Sequence, residues 1–413
     1  MSCKYIESWV IVNILLLTNL YPHNDDANPD ITKVCAYFAR EWVKQGHKVV
    51  TIVNSSAFPK VYYTVGKYAK KFISGHYGIS TAPNSMWSNF FEFEDLGVKV
   101  INMPMVKFVP RGKFFKSTFE NQVKRIIDIL NNNDFVPDVI TGHWANPQIR
   151  LVADLAKHYN VKSALVLHSD HSKELCERYK VNDYMDKIDR FGFRSKTAAE
   201  KSKNYLDFKS EPFVCYSGVP EHFLSYCIDI NNKCFDSSKI KIITASRLIT
   251  CKHIDSVISA VNNVLKGIDF EYIIAGDGPL MESLQKQAAD SCVCDKITFL
   301  GQIDRNELQK KMSESTVYVM ISQETFGLVY IEAMLQGCIV VASRYGGIDG
   351  VIVDGENGFL CEEGNSSELG EILKRIINLS PQEKKRIAVN AIETAKKFSE
   401  PETARRYLED ILR

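Results

Sequence analysis

Two carboxylates, Glu324 and Glu332, stand eight positions apart in the run Ser322 to Ser343, SQETFGLVYIEAMLQGCIVVAS. Glu324 sits in a polar Ser-Gln-Glu-Thr loop after the strand-like run Val317 to Ile321, and Glu332 lies in a helix-like stretch that begins near Phe326. At about 3.6 residues per turn, the spacing is a little over two turns, so Glu332 can face the side of the loop that carries Glu324. Phe326-Gly327-Leu328 falls between them at the helix start. Free backbone N–H groups and the positive end of the helix dipole favour an anion there, such as a diphosphate. Gly327 has no side chain to keep a ligand from those amides. Amides for phosphate, one carboxylate for sugar hydroxyls and the other for ribose suit a nucleotide sugar. For a lone pair of glutamates a surface helix with both solvated would be the better explanation, but the flanks argue for burial. Ile331, Ala333, Met334 and Leu335 continue the helix, Gly337 ends it, and the apolar strand Ile339 to Ala342 follows. This strand–loop–helix–strand unit puts its first carboxylate at the carboxyl end of a strand, where open α/β sheets bind ligands.

Cations stand at another strand end. Ala245-Ser246-Arg247-Leu248 closes a strand and Lys252 follows five residues after Arg247. The two can neutralise a pyrophosphate and stabilise it as a leaving group, although alone they would read as surface basic residues. Gly276-Asp277-Gly278-Pro279 is a tight turn whose proline starts a helix. A dinucleotide-binding turn is excluded because Met281 stands where the third glycine belongs. His143 and His168 each follow an apolar strand. One such histidine is more often a packing group; two at successive strand ends favour function. The run His168-Ser169-Asp170-His171 makes neither a metal site nor a catalytic triad, because adjacent residues point in different directions.

The elements that must position these groups alternate. In the first half, a strand Asn13–Asn19, a helix 31–45 and a strand Lys48–Val53 open a parallel sheet. An irregular stretch 54–87, a helix 119–130, strands 138–141 and 163–167 flanking a helix 148–159, and a short strand 214–218 follow. Asp229–Ser238 reads as a linker, after which strands at 240–245, 270–275, 297–300, 317–321 and 339–342 alternate with helices. Two α/β halves imply a cleft, where ligand sites concentrate. The expected domains are 1–228, 229–398 and a closing helix 399–413 that can pack back on the first.

Composition agrees with an ordinary globular protein: 413 residues, 45% hydrophobic, 24% charged. A net charge of +1 gives no pull toward nucleic acid, which is not expected as a partner. Eleven scattered cysteines read as reduced thiols of a cytosolic protein. The apolar start is too short to span a bilayer and has no small-residue cleavage site, so it reads as a buried strand after an extension, 1–11.

Together the motifs resemble those of the family 4 retaining glycosyltransferases (glycosyl transferases group 1). They are the E-x7-E pair Glu324 and Glu332, the R-L-x3-K element Arg247, Leu248 and Lys252, the Gly276–Pro279 turn, Gly346-Gly347, and Asp354 to Gly358. The likeness covers most of the chain and is sharpest from Ser246 to Gly358. It implies the GT-B fold, an α/β architecture of two Rossmann-like domains whose parallel sheets face across a cleft. It implies a hexosyltransferase-type enzyme (EC 2.4) that uses a nucleoside-diphosphate sugar, UDP-linked rather than GDP-linked. The anomeric configuration is kept by front-face attack with the leaving phosphate taking the proton. No cofactor and no obligate metal are expected. By the same resemblance Arg247 and Lys252 stabilise the diphosphate with the Gly327 and Leu328 amides. Glu324 holds the sugar hydroxyls, Glu332 the ribose, and His168 the sugar or acceptor at the reacting carbon. Gly276, Gly278 and Phe326 contribute to donor binding, while His143 and Asn24 lie on the acceptor side.

Three positions depart from the pattern: His253 replaces a glycine, Asp349-Gly350 replaces proline-glutamate, and the loop His23–Asp30 lacks its glycine pair. The implied setting is bacterial surface polysaccharide assembly (O-antigen of lipopolysaccharide, or capsule). The acceptor would be a glycan or an undecaprenyl-linked oligosaccharide, at the cytoplasmic face of the inner membrane. Segments 60–72 and 107–125 interleave cations with aromatics, which suits an anionic bilayer surface or solvated loops with tucked aromatics. Two rivals share the architecture: a sugar-nucleotide 2-epimerase and a non-catalytic nucleotide-sugar-binding partner.

Overall fold

Asn13–Thr18 (β1) is apolar along its length rather than alternating, as a strand covered on both faces must be. It pairs in parallel with β2 (Lys48–Val53) on one side and β7 (Val139–His143) on the other. The computed structural model describes residues 11–23, 32–57, 89–107, 114–168, 172–237 and 239–413. The chain forms two units: Met1–Phe193 with Lys201–Cys215 and Ala404–Arg413, and Arg194–Glu200 with Tyr216–Thr403.

The first unit has eight strands in the order β10-β9-β8-β7-β1-β2-β5-β4, where β4 is Phe91–Asp95, β5 Val98–Asn102, β8 Lys162–Leu167, β9 Arg190–Phe193 and β10 Phe213–Val214. All neighbours are parallel except β4 and β5, an antiparallel hairpin on one edge. The short pair β3 (Ser56–Ala57) and β6 (Met105–Val106) stands apart. The hairpin departs from the wholly parallel sheet that the sequence pattern predicts. Its signal lies in Phe91-Glu92-Phe93-Glu94, which alternates in burial, and in Leu96-Gly97, both with positive φ (50° and 86°), as a tight hairpin turn demands. The core of this unit joins Ile14, Leu16, Phe38, Trp42, Val139, Val166 and Phe213 to Ala404, Tyr407, Leu408 and Ile411 of the last helix. Trp42 donates its indole N–H to the Ala404 carbonyl at 2.9 Å.

In the second unit six strands run parallel in the order β13-β12-β11-β14-β15-β16. They are β11 Ile240–Ala245, β12 Phe270–Ala275, β13 Ile297–Gly301, β14 Val317–Met320, β15 Ile339–Ser343 and β16 Phe359–Cys361. Five of the six match the expected strands within a residue at each end. Buried Ile and Val side chains on both faces hold the sheet, each contributing about 1.5–3 kcal/mol by leaving water. The helices start where side chains accept the orphan amides: Asp304 before Arg305–Glu314, Asn365 before Ser366–Asn378, and a Ser380/Glu383 capping box before Pro381–Ala395. The expected linker 229–238 is anchored instead. Lys233 is buried, and its ammonium donates to the carbonyls of Gln336 (2.6 Å) and Met312 (3.4 Å), near the ends of two helices. Burial lowers its pKa, so those carbonyls are what make the charge tolerable.

Candidate functional site

The strand order of the second unit turns at β11: β12 and β13 lie on one side, β14 to β16 on the other. Loops leaving the carboxyl ends of β11 and β14 therefore diverge, and a crevice opens between them. Arg247 and Lys252 are on the first loop and Glu324 on the second. The Gly276–Pro279 turn supports the first loop from the far side. Ser246 N–H bonds Ala275 O (3.0 Å), Leu248 N–H bonds Asp277 O (2.9 Å), and Leu280 N–H bonds Leu248 O (3.2 Å). A Cβ on Gly276 would lie 1.8 Å from the Ser246 carbonyl oxygen, and one on Gly278 would lie 2.4 Å from that of Leu248. Gly276 and Gly278 thus serve the close approach of two backbones.

Glu324 is bonded on one oxygen by the Lys252 ammonium and by the Ser322 hydroxyl (2.8 Å). Both members of the ion pair are about four-fifths buried, with side-chain exposures of 18% and 19%. Arg247, on the same loop as Lys252, is exposed and makes no ion pair among the described residues. His253, where the resembled pattern has glycine, has a φ of 53°, the left-handed region that glycine favours; its ring accommodates this beside Gly364 and reaches Glu363 at 3.2 Å.

The helix after Glu324 is Leu328–Leu335, starting two residues later than expected. Gly327 precedes it with a φ of 85°, and a Cβ there would meet the Tyr330 ring at 2.5 Å. The need for glycine is thus met by the fold itself, beyond any ligand. The N–H groups of Gly327, Leu328 and Val329 donate to no carbonyl or side chain among the described residues, leaving an anion-attracting helix start. Phe326 is buried between Tyr216 and Phe398, which leaves its backbone as the part able to meet a ligand. Gly347 closes the loop from above: its N–H bonds the Glu324 carbonyl at 2.8 Å, and a Cβ would sit 2.1 Å from Thr325 O. At the departing position, Asp349 accepts the Tyr345 N–H at 2.6 Å and orders this turn.

Glu332 is 4% exposed. Arg305 donates to its Oε1 at 2.7 Å and lays its guanidinium over the Phe223 ring at 4.8 Å. Burial raises the Glu332 pKa and Arg305 opposes the rise. Arg305 is the site residue that sequence reading missed; it stands 27 positions from its partner, and no local spacing announces the pair. Glu324 and Glu332 share no hydrogen-bond partner among the described residues. The buried Tyr318 phenol has its pKa driven far up, first by burial and then by the neighbouring Tyr330, with both carboxylates adding to the rise. That phenol donates to Ala245 O at 3.0 Å, tying β14 to the end of β11.

In the first unit, β7 ends at His143 and His168 follows β8. Their rings meet, His143 Nδ1 to His168 Nε2, at 2.8 Å. His143 has no exposed surface and its ring reaches that of His168. Trp144 stacks on His168 with centroids 4.1 Å apart. Asn24 and segment 60–72 lie outside the described residues, as does part of 107–125. In the remainder of that segment Phe114 and Phe119 are buried, under Lys107 (4.5 Å) and Arg150 (4.8 Å) respectively. Burial first, and then Arg178, depress the Lys107 pKa to about 8. The tucked arrangement accounts for these residues, while Phe115 is 60% exposed. No helix of the described residues is long and apolar enough to cross a membrane.

Comparison with known proteins agrees with the geometry. Residues 229–395 match the family model of glycosyl transferases group 1. An uncharacterised glycosyltransferase of Methanocaldococcus jannaschii is 28% identical over 265 residues, 63% of this chain and 71% of that one. A solved glycosyltransferase from Rickettsia africae superposes with a TM-score of 0.66 at 18% identity, covering 98% of this chain and 100% of that one. The Anabaena protein HepE, solved with UDP, superposes with a TM-score of 0.61 at 18% identity, covering 96% and 98%. At such identities the two structures establish the fold. Residues 229–395 thus resemble a glycosyl transferases group 1 domain, in a chain that is a GT-B-fold enzyme of the glycosyltransferase class.

Proposed function

We propose that the chain is a family 4 retaining transferase that moves a hexose from a UDP-linked donor to a glycan or lipid-linked acceptor. The observation that carries this reading is the Lys252–Glu324 pair at the switch point between β11 and β14, with exposed Arg247 on the loop that carries Lys252 and the unbonded amides of Gly327 and Leu328 at the start of the helix that follows Glu324. The diphosphate takes the two cations and the amides. Lys252 then stabilises the negative charge that grows on the leaving oxygen. Glu324, released from one partner, accepts hydroxyls of the sugar. Glu332 keeps Arg305 on Oε1 and offers its other oxygen to ribose.

Two cations and a helix start offset the charge of a diphosphate, so the reaction needs no divalent metal. His168 supports the sugar at the reacting carbon, the leaving phosphate takes the acceptor's proton, and the configuration is retained. The choice of UDP draws on HepE, which binds UDP. The polysaccharide setting, the undecaprenyl-linked acceptor and the peripheral place at the inner membrane face rest on resemblance alone.

The test is release of UDP from a panel of UDP-sugars by the full chain. Glu324→Ala and Arg247→Ala are each expected to abolish release while the circular dichroism spectrum stays that of wild type. Full activity in either variant would sink these roles.

A further inference from the structure

Arg305 reaches from the surface onto an acid that the fold has buried. Its side chain is 61% exposed and that of Glu332 only 5%, and they meet at 2.7 Å, Nη2 to Oε1. Asp304 accepts the amides of Asn306 and Glu307, which fixes Arg305 as the first residue of the helix Arg305–Glu314. Its guanidinium lies over the buried Phe223 ring at 4.8 Å, so the ring sets one face of the fork while the carboxylate takes its edge. Arg305 is the single side chain that donates to this carboxylate among the described residues. The other oxygen, Oε2, accepts no bond from them and is not among the side-chain atoms sealed from solvent. A buried carboxylate without a cation takes up a proton, and a protonated carboxyl accepts poorly from a hydroxyl. Burial does push the Glu332 pKa up, and Arg305 opposes that push.

We propose that Arg305 is the positioning residue for the donor's ribose: it holds Oε1 of Glu332, leaves Oε2 to the ribose hydroxyls, and so makes the site prefer a ribonucleotide to a deoxyribonucleotide. This rests on the reading that Glu332 serves the ribose. With one oxygen held, the carboxylate cannot turn about its last bond. A carboxylate free to turn would meet water as readily as ribose, and a missing hydroxyl would then cost little. Held at a largely buried position, Oε2 has one partner to gain, and a nucleotide without that hydroxyl leaves a charged acceptor unpaired. Sites built to bond a hydroxyl reject the analogue that lacks it for this reason. Lysine would keep the charge but lose the planar fork that bonds the carboxylate while lying on Phe223.

The test is calorimetric titration of UDP, 2′-deoxy-UDP and 3′-deoxy-UDP into the full chain. Wild type is expected to bind at least one deoxynucleotide about tenfold or more weakly than UDP. In Arg305→Gln the preference is expected to shrink to about threefold or less, through weaker binding of UDP with the poorer deoxynucleotide unchanged. Arg305→Lys leaves no buried charge unpaired, serves where Arg305→Gln fails to fold, and is expected to lose preference in the same sense. An equal loss for all three nucleotides would make Arg305 a support of the fold alone and overturn the inference. A wild-type preference kept by both Arg305 variants but lost in Glu332→Gln would overturn it too, and leave Glu332 with the ribose. A preference absent in wild type, or intact in Glu332→Gln, would take the ribose from Glu332, and the inference would fall with that reading.

Discussion

Glu332 holds a charge where burial disfavours one. Its pKa is raised in the folded protein, chiefly by desolvation. An acid raised on folding binds more protons folded than unfolded, so its contribution to stability is present at low pH and lost as pH rises through its titration. Glu332→Gln keeps the shape and removes the charge. It is expected to melt above wild type at pH 7.5, the gain vanishing as pH falls through the raised carboxylate range. The same variant is expected to bind UDP about tenfold or more weakly, since a hydrogen bond to a charged group contributes roughly 1.5–3 kcal/mol. Melting curves and UDP titrations at two pH values check both. A lower melting temperature at pH 7.5 would mean that the Arg305 pair outweighs burial. At this scale the sequence discloses residue types and spacing but not partners. Lys252 and Glu324, 72 positions apart, could be suspected of sharing a ligand; that they bond each other, and that Arg305 bonds Glu332, depends on which strands are neighbours.

Among the elements, the loops at the strand ends are held by glycines pressed against backbone. Gly276 has a φ of 136° and its missing Cβ would overlap the Ser246 carbonyl. Gly276→Ala must separate two loops and is expected to cost about 3 kcal/mol or more, in the range of severe single substitutions. Gly267 has a φ of 84° and open space around the Cβ position, so Gly267→Ala is the control, expected to cost about 1 kcal/mol from backbone strain alone. Urea denaturation of both variants separates the contributions; equal losses would mean that the close approach matters little. Buried parallel strands and long amphipathic helices were legible because period and apolarity reveal them, as in Gln148–Tyr159 and Ile240–Ala245. The edge strand β4 was not, since none of its residues is fully buried and its glutamates face solvent, and neither was β16, with only three residues. The anchored segment around Lys233 looked like a linker because its polar residues hide one buried, carbonyl-bound cation.

For the whole molecule, two α/β units were readable from the restart of alternation near residue 240, and the GT-B fold agrees with it. The donor site follows from topology rather than composition: only the strand order β12-β11-β14 explains why residues near 250 and 324 meet. Each unit has a separate apolar core, so a ligand of the second unit acts on that unit's stability first. UDP at 100 times its dissociation constant is expected to add about 2.7 kcal/mol.

The central claim is that the second unit binds a nucleoside diphosphate through Arg247, Lys252 and the start of the Leu328 helix, without a metal. Calorimetric titration of UDP, GDP, ADP and CMP into the full chain, with and without EDTA, tests it most directly. UDP is expected to bind at least tenfold more tightly than the others, to be indifferent to EDTA, and to be lost in Arg247→Ala. Absence of binding by every nucleotide, or UDP binding that survives in Arg247→Ala, would contradict the account.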